Sequence, residues 1–339
     1  MQGRTDAKED KMIRRVLCSP ARWPGYTRLL SGSRSGPATL LTLPIVVILA
    51  GVLSAVVPAP HARAQSCANP IVCENQLQGT PQSVWDVGSD DTNIDGFSDP
   101  FSVNVGGTIN FKIQSIASYS IDIYRMGYYG GDGARFITSL TPNVSASENQ
   151  PTCNTNTTTG LVDCGNWSVS ATWSVPSTAV SGVYFAHIYT SGDKDENQIP
   201  FVVTNNASTS NIVFMTNDTT WQAYNDWGGY SLYTGNASQT ANSPQNAGRA
   251  IEVSYNRPFR TRYVNSYGQD FFFSMEFPMI EWMEQNGYDV TYVSSGDVDT
   301  DTNGQMLSQH KMFMTVGHSN TGQQECGLRS LAPGITGQI

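Results

Sequence analysis

Five side chains in the second half of this sequence could do chemistry, and each follows a short apolar or β-like run. Tyr224 and Asn225 lie in Trp221-Gln-Ala-Tyr-Asn-Asp-Trp-Gly-Gly-Tyr-Ser-Leu-Tyr233. Tyr255 and Arg257 lie in Val253-Ser-Tyr-Asn-Arg-Pro-Phe259, and His318 closes Lys311-Met-Phe-Met-Thr-Val-Gly-His. Tyrosine phenolates ligate hard metals such as ferric iron, and a guanidinium can hold a carboxyl or carbonyl oxygen. The plainer readings are packing or sugar platforms for the tyrosines and a hydrogen-bonded structural role for a lone histidine. No Gly-x-Ser-x-Gly elbow supports a serine hydrolase.

The elements around these residues form a strand–helix–strand pattern. Asn211–Thr216 is a strand, and the segment from Trp221 is a loop on the ligand face, outside the carboxyl ends of the strands. Met279, Ile280 and Met283 predict a helix over 276–286 that stops at Gly287. A strand over 289–293, an Asp/Thr/Gly loop and the strand before His318 follow. Gly317 lets the chain turn there. Buried strands alternating with helices imply a parallel sheet, so residues 206–339 are an α/β domain with few strands.

Residues 65–205 alternate apolar and polar with period two, as in Phe101–Val105, Ile109–Ile113 and Ser120–Tyr124. They predict an antiparallel β-sandwich of Ig-like or lectin-like type. Cys67 and Cys73 are close in sequence, as are Cys153 and Cys164, and read as two local disulfides. That pairing also disfavours Cys–His catalysis. Tyr124-Arg-Met-Gly-Tyr-Tyr-Gly-Gly-Asp-Gly-Ala-Arg135 reads either as a ligand or interdomain loop or as a strand edge with a tight turn. The segments from Asp91 and Asp299 resemble half of a calcium loop, but Ser102 and His310 stand where the closing carboxylate belongs, so both read as turns.

Residues 1–64 read as an export signal: a basic start, an apolar run over 38–57, then Ala62-Arg-Ala64. The rival is an uncleaved membrane anchor, the one route to a membrane. The whole chain carries a formal charge of −9, and nine of its 19 Lys and Arg fall before residue 65. The exported chain is more acidic still, which excludes a nucleic-acid partner. An oligomer is compatible with the sequence.

Five motifs in order carry a family resemblance: Tyr-Arg-x-Gly-Tyr-Tyr-Gly-Gly-x-Gly-Ala-Arg, Trp-x-Ala-Tyr-Asn, Val-Ser-Tyr-Asn-Arg-Pro, Glu-x-Pro-x-x-x-Trp with Gly-Tyr-Asp-Val, and Val-Gly-His. Over roughly residues 67–318 the chain resembles the large (beta) subunit of N,N-dimethylformamidase and its secreted relatives. The resemblance implies a sandwich followed by a domain like glutamine amidotransferases. It also implies hydrolysis of a small amide at one iron held by two Tyr and one Glu. Tyr224 and Tyr255 are then the phenolate candidates, with Tyr230 and Tyr233 nearby. His318 would sit beside the metal, and Asn225 or Arg257 would orient substrate.

The family continues Gly-His-x-Glu-Tyr-Trp-Ser, whereas this chain has Asn320 at the glutamate position. If Ser319–Gln323 were coded TCG AAT ACT GGT CAG, dropping two bases would give Glu-Tyr-Trp-Ser. A frameshift after His318 is therefore expected, with residues 319–339 off-frame and the α/β domain truncated. The resulting expectation is an exported member of an amidase lineage that is itself inactive and holds no iron. The alternatives are a non-catalytic secreted glycan-binding or surface protein, and a misread gene whose product aggregates through an unpaired sheet edge.

Overall fold

The computed structural model describes residues 67–88, 92–192, 195–233, 248–259, 261–262, 272–301 and 303–319. They fall within one compact unit, Arg63–Ile339. The expected signal, the apolar run 38–57, Cys326 and the expected off-frame residues from 320 onward lie outside the described residues. Among the described residues no helix is long and apolar enough to cross a membrane.

Two short helices, α1 (Pro70–Glu74) and α2 (Gln82–Trp85), lead into ten strands. These are β1 (Ile94–Asp99), β2 (Ser102–Asn104), β3 (Thr108–Ser115), β4 (Tyr119–Met126), β5 (Ala134–Leu140), β6 (Asn154–Asn156), β7 (Leu161–Asp163), β8 (Ala171–Ser174), β9 (Gly182–Thr190) and β10 (Glu196–Thr204). A three-stranded sheet runs β1-β3-β8 and a five-stranded sheet runs β2-β10-β9-β4-β5. All pairs in the two sheets are antiparallel except β2 on β10, a parallel edge pairing that the period-two pattern does not reveal. The strands β6 and β7 pair as a hairpin closed by the Cys153–Cys164 disulfide, while Cys67–Cys73 ties residues at α1.

The alternation in sequence becomes a division between two cores. Ile109, Phe111 and Ile113 of β3 meet Tyr184, Ala186 and Ile188 of β9 between the two sheets. The opposite face of β9 presents Val183 and Phe185 to a second core. Burial on both faces explains why β9 reads as nearly continuous apolar sequence. Two expected turns are corrected here. Asp95 and Gly96 belong to β1, and buried Asp95 accepts bonds from Asn197 Nδ2 at 3.2 Å and Trp227 Nε1 at 3.0 Å. Asp299 lies inside a helix described next, not in a loop.

The remaining elements are β11 (Ile212–Met215), α3 (Asp218–Tyr224), α4 (Phe272–Gln285), β12 (Val290–Val293), α5 (Ser295–Thr300), α6 (Gln305–Ser308) and β13 (Met312–Met314); β11, β12, α3 and α4 complete the second core, while Val298 of α5 and Leu307 of α6 pack with Val213, Met215 and Val293 in a third. The strands form a parallel sheet in the order β12-β11-β13. Phe214 of β11, Tyr292 of β12 and Ile280 and Met283 of α4 pack with Phe185 and Val202 of the five-stranded sheet.

Helix α4 begins at Phe272 rather than at the expected 276, because its buried face carries Phe272, Glu276, Ile280, Met283 and Glu284. Two glutamates interrupt the apolar stripe. Trp221–Tyr224 is the last turn of α3 rather than loop, and α5 replaces an expected loop. Ser294 starts α5 with a capping box, bonding Asp297 N while Asp297 bonds back to Ser294 N.

Candidate functional site

Asn217, the residue that leads from β11 into α3, ties the carboxyl ends of β11 and β13 together, while its neighbours Thr216 and Asp218 bond the end of β12 through Val293 and Ser295. Its Nδ2 donates to the Val316 carbonyl, and its Oδ1 accepts from Thr315 Oγ1 at 2.9 Å, both just past β13. Its backbone N–H donates to Glu276 Oε1 at 3.0 Å, and Trp221 Nε1 donates to the same oxygen at 3.0 Å. Glu276 is buried in α4, and burial pushes its carboxyl up to about 7 despite these two donors.

Gly317 has φ +83°, which a residue with a Cβ adopts with strain, and the turn leaves His318 exposed. The His318 ring meets the Tyr224 ring edge-on at 6.4 Å, and Tyr224 stacks on Tyr233 at 3.9 Å. These three rings, from α3, the following loop and the end of β13, are the part of the expected constellation that the fold brings together.

Tyr255 belongs to a different group. Its hydroxyl donates to Asp218 Oδ2 at 2.6 Å, and its ring packs on Phe101. Asp218 Oδ1 also accepts from Ser295 N and Thr216 Oγ1, each at 2.7 Å. Burial raises the Asp218 carboxyl above its ordinary range. Burial first, and then the neighbouring Asp218 carboxylate, pushes the Tyr255 phenol far above its ordinary value, so it stays protonated.

Asn225 and Arg257 are buried and occupied by backbone. Asn225 Nδ2 donates to the Pro258 carbonyl at 2.8 Å, and its Oδ1 accepts from Trp227 N. Arg257 Nη1 donates to the carbonyls of Tyr230 at 2.8 Å and Trp227 at 3.2 Å, and Nη2 to that of Gln222 at 3.0 Å. Burial pushes its guanidinium down to about 10. Together they fasten the segment after Tyr255 to the end of α3.

An iron held by two phenolates and a carboxylate needs three anionic oxygens converging on one point. Tyr255 spends its hydroxyl as a donor to Asp218, while the contacts of Tyr224 with Tyr233 and His318 are made by its ring. The third position is Asn320, a neutral amide, and it lies outside the described residues. Among the described residues no group of three or more His, Cys, Asp or Glu side chains could hold a metal ion. The residues as they stand do not fit the group. Sequence reasoning missed Asp218, Asn217 and Glu276. The polar run Thr216-Asn-Asp-Thr-Thr220 directly after a buried strand was the available signal for the first two.

A family model described as N,N-dimethylformamidase beta subunit-like, C-terminal, matches residues 120–324, from β4 to six residues past His318 and so into the segment expected to be off-frame. No curated protein matches the chain. Among solved structures, an uncharacterized protein from Bacillus anthracis str. Ames is similar at 9% identity over 38% of this chain and 94% of that one. Its TM-score is 0.23.

Proposed function

The chain belongs to the N,N-dimethylformamidase beta subunit-like family, and from that premise we propose a member of an amide-hydrolysing lineage that does not itself hydrolyse amides. The ancestral reaction is cleavage of a small amide C–N bond. The fold reading that accompanies it is an Ig-like sandwich followed by an amidotransferase-like α/β layer. The observation that carries the proposal is the Tyr255–Asp218 hydrogen bond. It withdraws one of the two candidate phenolates, and Asn320 replaces the carboxylate.

What remains is the frame of a site: the ends of β11 and β13 tied by Asn217, with the Tyr224 and His318 rings edge-on to each other. The two disulfides support a life outside the reducing cytosol. The test is metal analysis and visible absorption of the purified chain after iron loading, with release of amine from small formamides as the activity readout. The expected outcome is no retained iron, no tyrosinate-to-iron band and no turnover. One iron per chain with such a band would overturn the proposal.

A further inference from the structure

The parallel sheet β12-β11-β13 has two edges, and they differ. All four residues of β12 are buried, and a side chain occupies its outer edge. Ser181 Oγ accepts from Tyr292 N at 2.9 Å and donates to the Tyr292 carbonyl at 3.3 Å. Strand β13 pairs only with β11 among the described residues, and none of its three residues is buried. Met312 is 48% exposed. An unpaired edge presents N–H and C=O groups ready to pair with another chain.

The direction of those groups follows from the register. Met312 N–H turns inward and donates to the Asn211 carbonyl at 3.1 Å. Successive peptide groups of a strand point to opposite sides, so Phe313 directs its N–H and C=O outward, away from β11. The side chains divide between two faces. Phe313 packs against the third core with Val213 and Met215, and Met314 packs against the second core. Met312 shares the Met314 face, because side chains alternate along a strand.

We propose that this edge pairs with the same edge of a second copy, antiparallel and centred on Phe313, so that two three-stranded sheets become one of six strands. In that register the two Phe313 residues exchange both N–H···O bonds. Met312 lies opposite the partner's Met314 on one face, an apolar cross-strand pair that covers the exposed methionine. Lys311 lies opposite the partner's Thr315, so no like charges meet. Ser181 occupies the β12 edge, so each chain offers one edge and pairing stops at two copies, as an isologous contact does. The inference is independent of whether the chain hydrolyses anything.

The test is sedimentation velocity of the full chain from about 1 to about 100 µM. One short strand buries less than the roughly 800 Å² per partner of a stable complex, so a dimer that dissociates in the micromolar range is expected. Met312→Lys is expected to weaken it about tenfold or more. The melting temperature of the dilute chain should not move, because that side chain is largely exposed. Phe313→Cys in a Cys326→Ser background should form an interchain disulfide on mild oxidation, since the Cα atoms of such a pair lie about 5.5 Å apart. Lys311→Cys in the same background should not, since its two copies are offset by roughly 14 Å along the strands. A monomer at every concentration would overturn the proposal and leave the edge to the chain's own residues beyond 319 or to solvent. Assemblies that grow past two copies, or a dimer that Met312→Lys leaves intact, would overturn it as well.

Discussion

Arg125 on β4 and Glu284 near the end of α4 form a two-pronged ion pair with no exposure on either side chain. Nη2 lies 2.9 Å from Oε1, and Nη1 lies 3.0 Å from Oε2. The remaining capacity of the pair is nearly all used. Tyr292 and Asn75 donate to Glu284, and Arg125 donates to the carbonyls of Ser181 and Met126. Gly127 lies alongside because any Cβ there would run into the Glu284 carboxylate. The Tyr124–Arg135 motif is therefore the lock between the five-stranded sheet and the α/β layer.

Breaking one half of this lock leaves a buried charge alone. Glu284→Gln is expected to cost about 3–5 kcal/mol. Combining it with Arg125→Met should cost clearly less than the sum of the two single changes, because the double variant buries no orphan charge. Urea denaturation of the three variants checks this. Additive losses would mean that the two residues act separately.

Glu276 makes the fold sensitive to pH. Its folded carboxyl titrates near 7 against an ordinary value of 4.5, so between those values the folded state holds a proton that the unfolded state has lost. Stability from this group is full below about pH 4.5 and falls as pH rises through 7, by up to roughly 3 kcal/mol. Glu276→Gln keeps an acceptor for Asn217 and Trp221 without the charge. The stability difference between variant and parent should therefore widen in the variant's favour from pH 4.5 to 7. Parallel curves in denaturant titrations across that range would refute it.

The course of the chain was legible where one face of an element is apolar. The strands of the sandwich, the parallel strands, both disulfides and the turn at Gly317 follow from local pattern and spacing. The misses share a cause, which is polar groups placed in buried positions. Asp95 looked like a turn residue because its partners, Asn197 and Trp227, are far away in sequence. Glu276 and Glu284 hid the start and the face of α4 because their donors come from α3 and β4. The Tyr255 hydroxyl bonds Asp218, a partner that nothing nearby in sequence announces. The Tyr224 and His318 rings meet because α3 follows β11 and His318 follows β13 on one side of the parallel sheet.

The hydroxyl of Tyr255 should matter for stability and not for metal content. Tyr255→Phe removes one of the donors that Asp218 relies on, and a buried carboxylate deprived of a donor costs about 1–3 kcal/mol. The measurement is a melting curve paired with iron analysis of the same preparations. A variant as stable as its parent, or one that loses iron the parent retained, would return Tyr255 to the role of ligand.

The two disulfides should differ in consequence, because only one supports the candidate site. The hairpin closed by Cys153–Cys164 has just two short strands, which is marginal in water without further support. It also carries the segment that leads to Tyr255 and Arg257. Cys164 N donates to the Asn256 carbonyl at 2.6 Å, Ile251 N donates to that of Thr159 at 2.7 Å, and Ser254 Oγ donates to Asp163 at 2.8 Å. Replacing Cys153 and Cys164 by Ser is expected to cost about 2–3 kcal/mol from loop entropy. It should also speed amide exchange at Asn256 and Arg257, whose N–H groups bond only within their own segment, to Ser254 Oγ and the Tyr255 carbonyl. The Cys67–Cys73 pair encloses a shorter loop, a sequence separation of 6 against 11. Its removal should cost less and leave exchange at those two amides unchanged. Hydrogen exchange on the two double variants separates the cases, and equal protection at Asn256 in both would show that the hairpin does not hold the site.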